Sequence, residues 1–392
     1  MPTKLIFFAP KENRYSVNVL AGAFDAAGIP GMKAEFPETP EKLAAAIDAA
    51  GSRGGRTIAA FSFLTSQAQQ TAALLKTLRR RPGTSFIAGG PHASAEPQET
   101  LEMGFDCVVA GEGEQAFTGL LKKAAGGVTM PRGIIKGRPL KDLDTYTPFS
   151  VRYGLLGPIE ITRGCPFGCS YCQTAYLFGT RPRHRTPGNV LKHVETLLKA
   201  GGKEIRFVSP DAFGYGSPDG RAMNFKALEE MMTGAGALAD KFGGRVFFGS
   251  FPSETRPEHV TPEGLELIKR IVTNRRLVIG AQTGSPRLLK AIRRGHGVTQ
   301  IIRAAVLCRA WKFTPQFDFI FGLPGETEND ETETMRLILE LEKLGARIHT
   351  HAFMPLPGTP LAGAGGPFIN RRVERFITAL EERGHAFGKW RA

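Results

Sequence analysis

The sequence has no long hydrophobic run, and this limits where the protein can reside. None of its segments approaches the roughly 20 consecutive apolar residues that a membrane-spanning helix needs. The apolar run Leu5–Phe8 is too short for the core of a signal peptide and predicts a buried strand instead. We therefore expect a cytoplasmic protein that does not span a membrane. Internal repeats and low-complexity segments are also missing from the 392 residues.

Cysteine is scarce, and its distribution is uneven. There are five cysteines, an odd number, and three of them fall between residues 165 and 172. A spread-out, even-numbered set would predict a disulfide framework, whereas a short cluster of thiols predicts a metal site. Thiols stay reduced in the cytoplasm, which is compatible with such a site.

The sequence also lacks an RNA-binding motif, although its formal net charge is +14. A basic protein attracts anionic partners such as nucleic acid, acidic protein surfaces or phosphorylated cofactors. The basic residues are scattered, however, and the densest runs are the short segments 76–81 and 181–185. We therefore do not expect nucleic acid to be the partner. The 42% hydrophobic and 22% charged residues are typical of a globular protein, and the length fits two domains.

Residues 1–130 alternate short apolar strands with helical segments. This alternation predicts an α/β domain with a doubly wound, Rossmann-like parallel sheet that is covered by helices on both faces. Ligands bind such sheets at the carboxyl ends of the strands, which is where this half has its glycines and small polar residues. The predicted strands are Leu5–Phe8, Ile58–Phe61, Phe86–Ala88 and Cys107–Ala110, and the predicted helices are Asn18–Ala27, Pro40–Ala50 and Gln67–Arg80.

A second alternating series follows a segment with little periodicity. Residues 131–157 are rich in proline, glycine and charge, and they predict a linker. The strand–helix units of residues 158–358 predict a partial (β/α)6 barrel, and residues 359–392 predict a helical extension over Asn370–Arg383. The predicted strands are Ile159–Thr162, Glu204–Ser209, Arg245–Ser250, Leu277–Gln282, Gln316–Phe321 and Arg347–Phe353. The predicted helices are Pro187–Ala200, Phe225–Phe242, Pro262–Ile271, Thr299–Trp311 and Glu328–Leu344.

The strongest signal for chemistry is the spacing Cys165-Pro-Phe-Gly-Cys169-Ser-Tyr-Cys172. It follows the first predicted strand of the second half, so we expect it on the loop at that strand's carboxyl end. Thiolates are soft ligands that suit zinc or an iron–sulfur cluster. Three cysteines on a four-iron cluster would leave one iron open for another ligand.

A zinc site is the alternative interpretation of the same cysteines. Structural zinc needs four ligands, usually in two separated pairs, and here a histidine such as His184 or His193 would have to complete the set. The remaining cysteines do not fill this role, because Cys107 lies in a predicted strand and Cys308 in an apolar helical stretch. Both predict buried core residues.

The Cys-x-x-x-Cys-x-x-Cys spacing, after a first strand and ahead of a partial barrel, resembles the radical S-adenosylmethionine (SAM) superfamily. The resemblance implies a [4Fe–4S] cluster on Cys165, Cys169 and Cys172, and an open iron that chelates the amino and carboxylate groups of SAM. It also implies an external one-electron donor such as ferredoxin or flavodoxin. Tyr171 matches the position whose side chain packs near the adenine.

Further matches to this superfamily lie where later predicted strands end. A hydroxyl after the second strand matches the position near the methionine amino group, and a carboxylate and a guanidinium after the third suit the ribose and the methionine carboxylate. The segment after the fourth strand offers partners for the ribose, and the segment at the fifth resembles the adenine-contacting one. The SAM-binding residues implied in this way are Ser209, Ser250, Glu254, Arg256, Gln282, Thr283, Ile320 and Phe321.

The strand ends of the first half resemble the cobalamin-binding domain that precedes the radical domain in one large subclass. The implied cobalamin-binding residues are Asn13, Ser16, Ser62, Phe63, Leu64, Thr65, Gly89, Gly90, His92, Gly111, Glu112 and Gly113. The Asp-x-His-x-x-Gly motif that supplies a lower axial histidine is missing after the first strand, so we expect no cobalt ligand from that loop. His92 could approach the corrin or be a structural histidine. A methylthiotransferase would carry three further cysteines in this half, which has only Cys107.

The combined resemblance implies a cobalamin-dependent radical SAM methyltransferase that acts on an unactivated carbon. The opening segment 13–22 resembles small cobalamin radical proteins of methanogenic archaea, among them the glutamine C-methyltransferase of methyl-coenzyme M reductase. We therefore expect a protein or peptide substrate, with a small molecule or lipid as the next choice. A cyclase or rearranging enzyme of the same subclass stays open, as does a cobalamin carrier or sensor with a vestigial radical domain. We also expect five residues to line the reaction cavity: Gln173, Tyr176, Arg181, Tyr215 and His349.

Overall fold

The computed structural model describes residues 3–51, 55–78 and 81–391. The chain divides into two compact units, one up to Gly157 and one from Pro158 onward. Within the described ranges, no helix combines the length and the apolar character needed to cross a membrane.

The first unit contains a six-stranded sheet in which every pair of neighbouring strands is parallel. Its strands are β1 (Thr3–Phe7), β2 (Lys33–Glu35), β3 (Arg56–Ser62), β4 (Thr84–Gly89), β5 (Cys107–Ala110) and β6 (Gly133–Lys136). The spatial order is β2-β1-β3-β4-β5-β6, so the chain turns outward in opposite directions from β1. The carboxyl ends of β1 and β3 therefore border the crevice in which such sheets bind ligands.

Apolar side chains on successive strand residues bury both faces of this sheet. Leu5 and Phe7 pack on one face, and Ile6 packs on the other, because neighbouring residues of a strand point in opposite directions. Cys107 belongs to this core and is fully buried, as the sequence predicted. The covering helices are α1 (Arg14–Ala27), α2 (Pro40–Gly51), α3 (Ala68–Thr77), α4 (Gly90–Ala95), α5 (Pro97–Glu102) and α6 (Gly113–Ala125).

Several segments of this unit differ from the sequence prediction, which did not include β2, α4, α5 or α6. The predicted helix over residues 67–80 is shorter, since a 3₁₀ turn over Thr65–Gln67 precedes α3, and residues 79 and 80 lie outside the described ranges. The predicted linker 131–157 contains β6, which pairs with β5. A strand of only four residues at the sheet edge carries too little apolar periodicity to stand out from its Pro- and Gly-rich surroundings.

The second unit has seven parallel strands in two hydrogen-bonded groups. The first group has the order β11-β10-β7, and the second has the order β12-β13-β14-β15. Thr255, which follows β11 in the chain, forms an isolated parallel bridge with Ile279 of β12. The bounds are β7 (Ile159–Glu160), β10 (Glu204–Val208), β11 (Arg245–Phe247), β12 (Arg276–Gln282), β13 (Thr314–Phe321), β14 (Arg347–Ala352) and β15 (Ala386–Lys389). An antiparallel pair, β8 (Thr162–Arg163) and β9 (Arg183–His184), follows β7 in the chain.

Helices separate these strands, as the apolar spacing predicts. The helices are α7 (Thr174–Phe178), α8 (Pro187–Lys199), α9 (Phe225–Phe242), α10 (Pro262–Lys269), α11 (Pro286–Ala291), α12 (Val298–Ala310), α13 (Glu328–Lys343) and α14 (Arg371–Glu382). Local sequence fixes several starts: the side chains of Thr186 and Thr261 accept hydrogen bonds from the first turns of α8 and α10, and a proline follows each. Cys308 on α12 is fully buried.

The carboxyl-terminal segment is more than the helical extension that the sequence predicts. Helix α14 lies where a helix is expected, but β15 follows it and pairs with β14. This four-residue strand extends the predicted six-stranded partial barrel by one strand. Its burial alternates weakly, so no strand pattern marks it in the sequence.

Candidate active site and cofactor-binding residues

The three clustered cysteines lie on the loop that follows β8. Gly164 begins this loop with a φ of 88°, and a Cβ there would lie 3.0 Å from the Gly179 carbonyl oxygen. The Cys165 amide donates to that same carbonyl at 3.1 Å, and the Cys172 amide donates to the Cys169 carbonyl at 3.1 Å. Backbone hydrogen bonds and a glycine that tolerates left-handed φ therefore shape the loop that carries the thiols.

A cavity of about 500 Å³ opens beneath the cysteine loop, within the second unit. Its walls come from the carboxyl ends of the barrel strands, the edge at which parallel barrels place their chemistry. Nine of the twelve residues that the superfamily resemblance implies line it: Cys165, Cys169, Tyr171, Cys172, Ser209, Glu254, Arg256, Gln282 and Ile320.

A buried arginine connects the cysteine loop to the barrel wall. Arg294 is 6% exposed and donates to the Gly280 carbonyl at 2.6 Å through Nη2. Its Nη1 lies 3.2 Å from the Tyr171 hydroxyl and 3.6 Å from the Cys169 Sγ. The guanidinium therefore places a fixed positive charge beside one of the cluster thiols.

A second arginine is held beneath the same loop. Arg256 stacks its guanidinium 3.4 Å from the ring centroid of Phe167, and its Nε donates to Glu258 at 2.6 Å. Its Nη2 also donates to the Arg294 carbonyl. Burial by itself would raise the pKa of Glu258, but a hydrogen bond from His296 and the charge of Arg256 outweigh it and lower this pKa to about 2. Arg256 thus contacts the loop through the ring of Phe167, while its hydrogen bonds tie it to Glu258 and to the Arg294 carbonyl.

Glu254 is the carboxylate that faces the cavity most openly. Enclosure within the barrel raises its pKa to about 7, and repulsion by the Asp318 carboxylate adds to this, while Arg294 acts in the opposite direction. Such a group can accept or donate a hydrogen bond to a ligand hydroxyl.

The end of β12 is irregular where it meets the cavity. The pairing of β12 with β13 shifts register between Gly280 and Gln282, and Gln282 has a φ of 74°. A bulge of this kind re-aims a side chain at a strand end, and a left-handed non-glycine residue is typical of functional sites. This geometry supports Gln282 as a ligand-binding residue.

Three residues of the implied SAM set do not line the cavity. Thr283 is fully buried and hydrogen-bonds through its hydroxyl to that of Thr334 at 3.0 Å. Phe321 is buried on the opposite face of β13 from Ile320, since adjacent strand residues point in opposite directions. Ser250 lies on the loop after β11, and its half-buried side chain is also outside the cavity wall. Thr283 and Phe321 therefore lie at the strand ends where the sequence places them, with side chains outside the cavity wall, whereas β11 ends three residues before Ser250.

Asp211, beside the implied Ser209, has an internal role. Its Oδ1 accepts the Arg256 amide at 3.2 Å, and its Oδ2 is hydrogen-bonded to His259 Nδ1. Ser209 itself caps this turn, donating to the Asp211 carbonyl at 2.7 Å. The predicted Tyr215 is fully buried, with its hydroxyl donating to the Arg185 carbonyl, and does not line the cavity. The other residues expected at the cavity wall, Gln173, Tyr176, Arg181 and His349, also lie outside it.

Sequence reasoning missed several polar residues of the cavity wall, and three of them stand out by their contacts. Arg294, Asp318 and His351 line it together with the implied residues. Period-2 spacing gave a signal for two of them, since Asp318 shares its strand face with the implied Ile320, and His351 shares its face with His349. Arg294 follows a short helix that has no such pattern, and only the tertiary fold brings it to the cysteine loop.

The donor set fits an iron–sulfur cluster rather than a structural zinc ion. His184 hydrogen-bonds to Thr162 at 3.0 Å and to the Ser217 carbonyl at 2.8 Å, and His193 is buried in α8. Neither histidine lines the cavity, so neither completes a zinc site with the three thiols. Three soft thiolates at the wall of a cavity suit a cluster whose remaining iron takes a ligand from that cavity.

In the first unit, most of the implied cobalamin residues gather at the ends of β3 and β4. The Phe63 amide donates to the Gly89 carbonyl at 3.4 Å, and the His92 amide donates to the Phe63 carbonyl at 3.3 Å. His92 is 2% exposed, and its Nδ1 lies 3.4 Å from the Thr65 hydroxyl. Leu64, between these residues, is 43% exposed. Asn13 is buried and Ser16 half-buried in the segment after β1, the strand beside β3.

Adjacent glycines at the end of β4 have different structural roles. At Gly90, whose φ is 92°, a Cβ would lie 2.6 Å from the Ser62 Oγ and 2.9 Å from the Phe63 amide nitrogen. At Gly89 the nearest atom to an added Cβ is the Val109 carbonyl oxygen, 3.8 Å away. Gly90 is therefore required by the fold, while the space at Gly89 is open to a ligand.

The residues that follow β5 make their hydrogen bonds to other parts of the protein. The Glu112 Oε2 accepts the Leu140 amide at 2.9 Å, and a Cβ on Gly137 would lie 2.1 Å from the Glu112 carbonyl oxygen. The Gly111 amide donates to the Ser94 hydroxyl at 3.0 Å. Glu112 is 3% exposed, so its carboxylate fastens the segment after β6 rather than facing a ligand. The half-buried Gly113 begins α6.

Comparison with protein families gives one match in each unit. The model of the radical SAM superfamily matches residues 159–338, and the model of the B12 binding domain matches residues 11–121. The chain is 25% identical over 354 residues to an uncharacterized protein of Methanocaldococcus jannaschii, covering 76% of this chain and 68% of that one. It is 28% identical over 245 residues to the tRNA-2-methylthio-N(6)-dimethylallyladenosine synthase of Tropheryma whipplei, covering 59% of this chain and 49% of that enzyme.

Solved structures resemble the fold at low sequence identity. The radical SAM methyltransferase TsrM from Kitasatospora setae, solved with cobalamin and a [4Fe–4S] cluster, matches with a TM-score of 0.71 and 16% identity. That match covers 92% of this chain and 74% of TsrM. The cobalamin-dependent radical enzyme OxsB, solved with aqua-cobalamin and SAM, matches with a TM-score of 0.65 and 14% identity over 99% of this chain and 62% of OxsB.

Proposed function

This chain joins a B12-binding domain to a radical SAM domain, with a [4Fe–4S] cluster, SAM and cobalamin as its cofactors, and from that premise we propose that it is a C-methyltransferase. In this proposal the 5′-deoxyadenosyl radical would take a hydrogen atom from an unactivated carbon of the substrate, forming 5′-deoxyadenosine, and methylcobalamin would supply the methyl group that replaces this hydrogen. The observation that carries the proposal is the cavity of about 500 Å³ that all three cluster cysteines line together with the polar side chains of Glu254 and Gln282.

When bound, the cofactors would supply the electron that cleaves SAM to the 5′-deoxyadenosyl radical and the methyl group that is transferred. The protein's own residues bind and orient. Cys165, Cys169 and Cys172 would hold the cluster, and Glu254 and Gln282 offer hydrogen-bond partners to the ribose at the cavity wall. Tyr171, fixed by its contact with Arg294, offers a ring surface near the adenine.

The strand ends of the first unit would hold cobalamin. Ser62 and Thr65 offer hydroxyls, and the open space at Gly89 allows the backbone to approach a large ligand. We propose no histidine ligand to cobalt from the loop after β1, because that loop contains none. His92 is buried beside Phe63, with ring centroids 5.5 Å apart, which supports a structural role for it.

We propose a carbon of a protein or peptide as the methyl acceptor, with glutamine of methyl-coenzyme M reductase as one candidate. The support is the resemblance of the opening segment 13–22 to small cobalamin radical proteins of methanogens. A small molecule or a lipid is the next candidate acceptor. An electron would come from an external donor such as ferredoxin or flavodoxin, and we propose that the protein acts in the cytoplasm.

Methylthio transfer is not favoured, although methylthio-adenosine synthases are among the relatives. The resemblance to those enzymes implies three further cysteines for a second cluster in the first half. Residues 1–157 have the single cysteine Cys107, which is fully buried in the sheet core. A cobalamin carrier or sensor is disfavoured as well, since the cluster cysteines and the residues of the cavity are intact.

The test is anaerobic reconstitution with iron, sulfide and cobalamin, followed by analysis of the products from SAM with a low-potential reductant. We expect 5′-deoxyadenosine together with S-adenosylhomocysteine, since the second product reports remethylation of cobalamin. Deoxyadenosine alone would contradict methyl transfer, and bound cobalamin without any cleavage of SAM would contradict a radical enzyme.

A matched pair of cysteine variants separates cluster loss from general damage. Cys172→Ala removes a thiol that lines the cavity, whereas Cys308→Ala removes a thiol buried in α12. We expect the first variant to lose the cluster and SAM cleavage, and the second to keep both. The identity of the acceptor is then tested by mass spectrometry of candidate peptides for a gain of one methyl group.

A further inference from the structure

A carboxylate and two imidazoles converge inside the barrel, outside the residues assigned to the cofactors. Asp318 lies on β13, and His349 and His351 lie on the neighbouring strand β14. In the parallel register Asp318 pairs with His349, and Ile320 pairs with His351. The three side chains therefore share one face of two adjacent strands, and one ligand atom from each lies within 4.8 Å of the other two.

The surroundings fix the orientation of these side chains. His349 stacks on Phe387 of β15 with ring centroids 4.7 Å apart and an interplanar angle of 14°. Its Nδ1 lies 3.1 Å from the Asp318 Oδ1, and its ring centroid is 4.1 Å from that of His351. Asp318 is 6% exposed, and both histidines are half-buried. A hydrogen bond between His349 and Asp318 explains one contact but not the convergence of the second imidazole.

We propose that Asp318, His349 and His351 form a binding site for one divalent transition-metal cation. Two imidazoles and one carboxylate are a ligand set that suits iron(II), manganese(II), cobalt(II) or zinc(II). Three ligands on one face leave coordination positions free. Asp318 and His351 line the same cavity as the cluster cysteines, so a substrate oxygen can reach those positions.

The proposed ion and the cluster require different ligand atoms. Nitrogen and oxygen ligands favour a single ion of intermediate hardness, while the three thiolates favour iron–sulfur. Calcium and magnesium prefer sites built from oxygen alone, so two imidazoles disfavour them. Manganese(II) is therefore the discriminating probe, because it binds nitrogen and oxygen ligands and competes poorly for thiolates.

The experiment titrates manganese(II) into the cluster-reconstituted, tag-free protein after treatment with a chelator. Free manganese gives a six-line electron paramagnetic resonance spectrum that is lost on binding, and zinc(II) is added in a second titration to displace it. No SAM, substrate or reductant is present, so the result is independent of whether the protein transfers a methyl group. We expect one ion per chain.

The variants are His351→Gln and Asp318→Asn, each checked for cluster content and for its circular dichroism. We expect at least a tenfold loss of affinity in each, since even residues that only support metal ligands change affinity by about 10–100-fold. The matched control is His385→Gln, because His385 also contacts a carboxylate, that of Glu342, but has no second imidazole at that contact. The control should bind like the unchanged protein. The proposal is overturned if neither ion binds, or if binding is the same in all variants.

Discussion

The charge of Arg294 should set the reduction potential of the cluster. Its Nη1 lies 3.6 Å from the Cys169 Sγ, and the whole side chain is buried. Reduction adds a negative charge to the cluster, and a nearby positive charge stabilises the reduced form. Replacement by glutamine, Arg294→Gln, keeps an amide of moderate length but removes the charge. The midpoint potential should therefore become more negative.

The size of the shift follows from Coulomb's law. The added electron spreads beyond the Cys169 sulfur, so a mean separation of about 6 Å from the guanidinium is reasonable, and at an effective dielectric constant of about 20 this gives about 2.8 kcal/mol. For a one-electron couple that energy corresponds to about 120 mV. We expect a shift on the order of 100 mV, far above the change from a solvent-exposed charge.

The assay is a redox titration of the anaerobically purified protein, followed by the electron paramagnetic resonance signal of the reduced cluster. Arg293→Gln is the matched control, because it removes the same charge from the adjacent, exposed residue. Arg294→Lys keeps the positive charge but loses the forked hydrogen bonds of the guanidinium. This variant therefore separates the effect of the charge on the midpoint potential from the effect of the hydrogen bonds. If Arg294→Gln and Arg293→Gln have the same potential, the electrostatic reasoning is refuted.

Three further predictions test other parts of the chain. The Gly89→Ala variant should fold normally, because the nearest atom to the added Cβ is 3.8 Å away. It should retain much less cobalamin after desalting, and retention equal to that of the unchanged protein would contradict a cobalamin site at the end of β4. Burial lowers the pKa of His259, but the hydrogen bond that its Nδ1 donates to the Asp211 carboxylate outweighs burial and leaves this pKa raised. The contribution of this pair to stability should therefore be full below a pH of about 6.5, the ordinary pKa of histidine, and should be lost as the pH rises through the raised pKa. Urea denaturation should then show a difference between the unchanged protein and His259→Gln that shrinks with rising pH, and a constant difference would exclude this cause. Asn370 caps α14, because its side-chain oxygen accepts hydrogen bonds from two backbone amides of the first turn. Asn370→Ala should therefore lower the free energy of unfolding by about 1–2 kcal/mol, and a loss below about 0.3 kcal/mol would argue against this cap.

Apolar periodicity made much of the fold predictable. The strands that the sequence predicted lie within a few residues of their predicted positions, because each is a buried apolar run between turn signals. The parallel α/β class, the three cofactors and the match to the two families are confirmed by the family comparisons. The sequence prediction missed short edge strands such as β6 and β15. Pairing with a neighbouring strand stabilises them, and their sequences have no hydrophobic pattern that would predict a strand.

The cavity was predictable only where chemistry and strand ends coincide. The cysteine spacing indicates a cluster by itself, and the ends of parallel strands bring Glu254 and Gln282 to the same edge. The direction of a side chain at an irregular strand end depends on bulges and turns that the sequence does not reveal. Arg294 reaches Cys169 across 125 positions of the chain, so only the fold itself brings the two together.

The position of β6 also determines where the first unit can be separated from the second. A fragment that stopped at residue 130 would lose β6 and expose the backbone of β5, a strand of apolar residues. An uncovered apolar strand is a template for pairing with other chains, so such a fragment should associate and precipitate. A fragment that ends at Gly157 keeps this edge covered and keeps the contact of Leu140 with Glu112. The solubility of the isolated cobalamin domain therefore depends on the four residues of β6, which lie beyond the domain end at residue 130 that the sequence predicts.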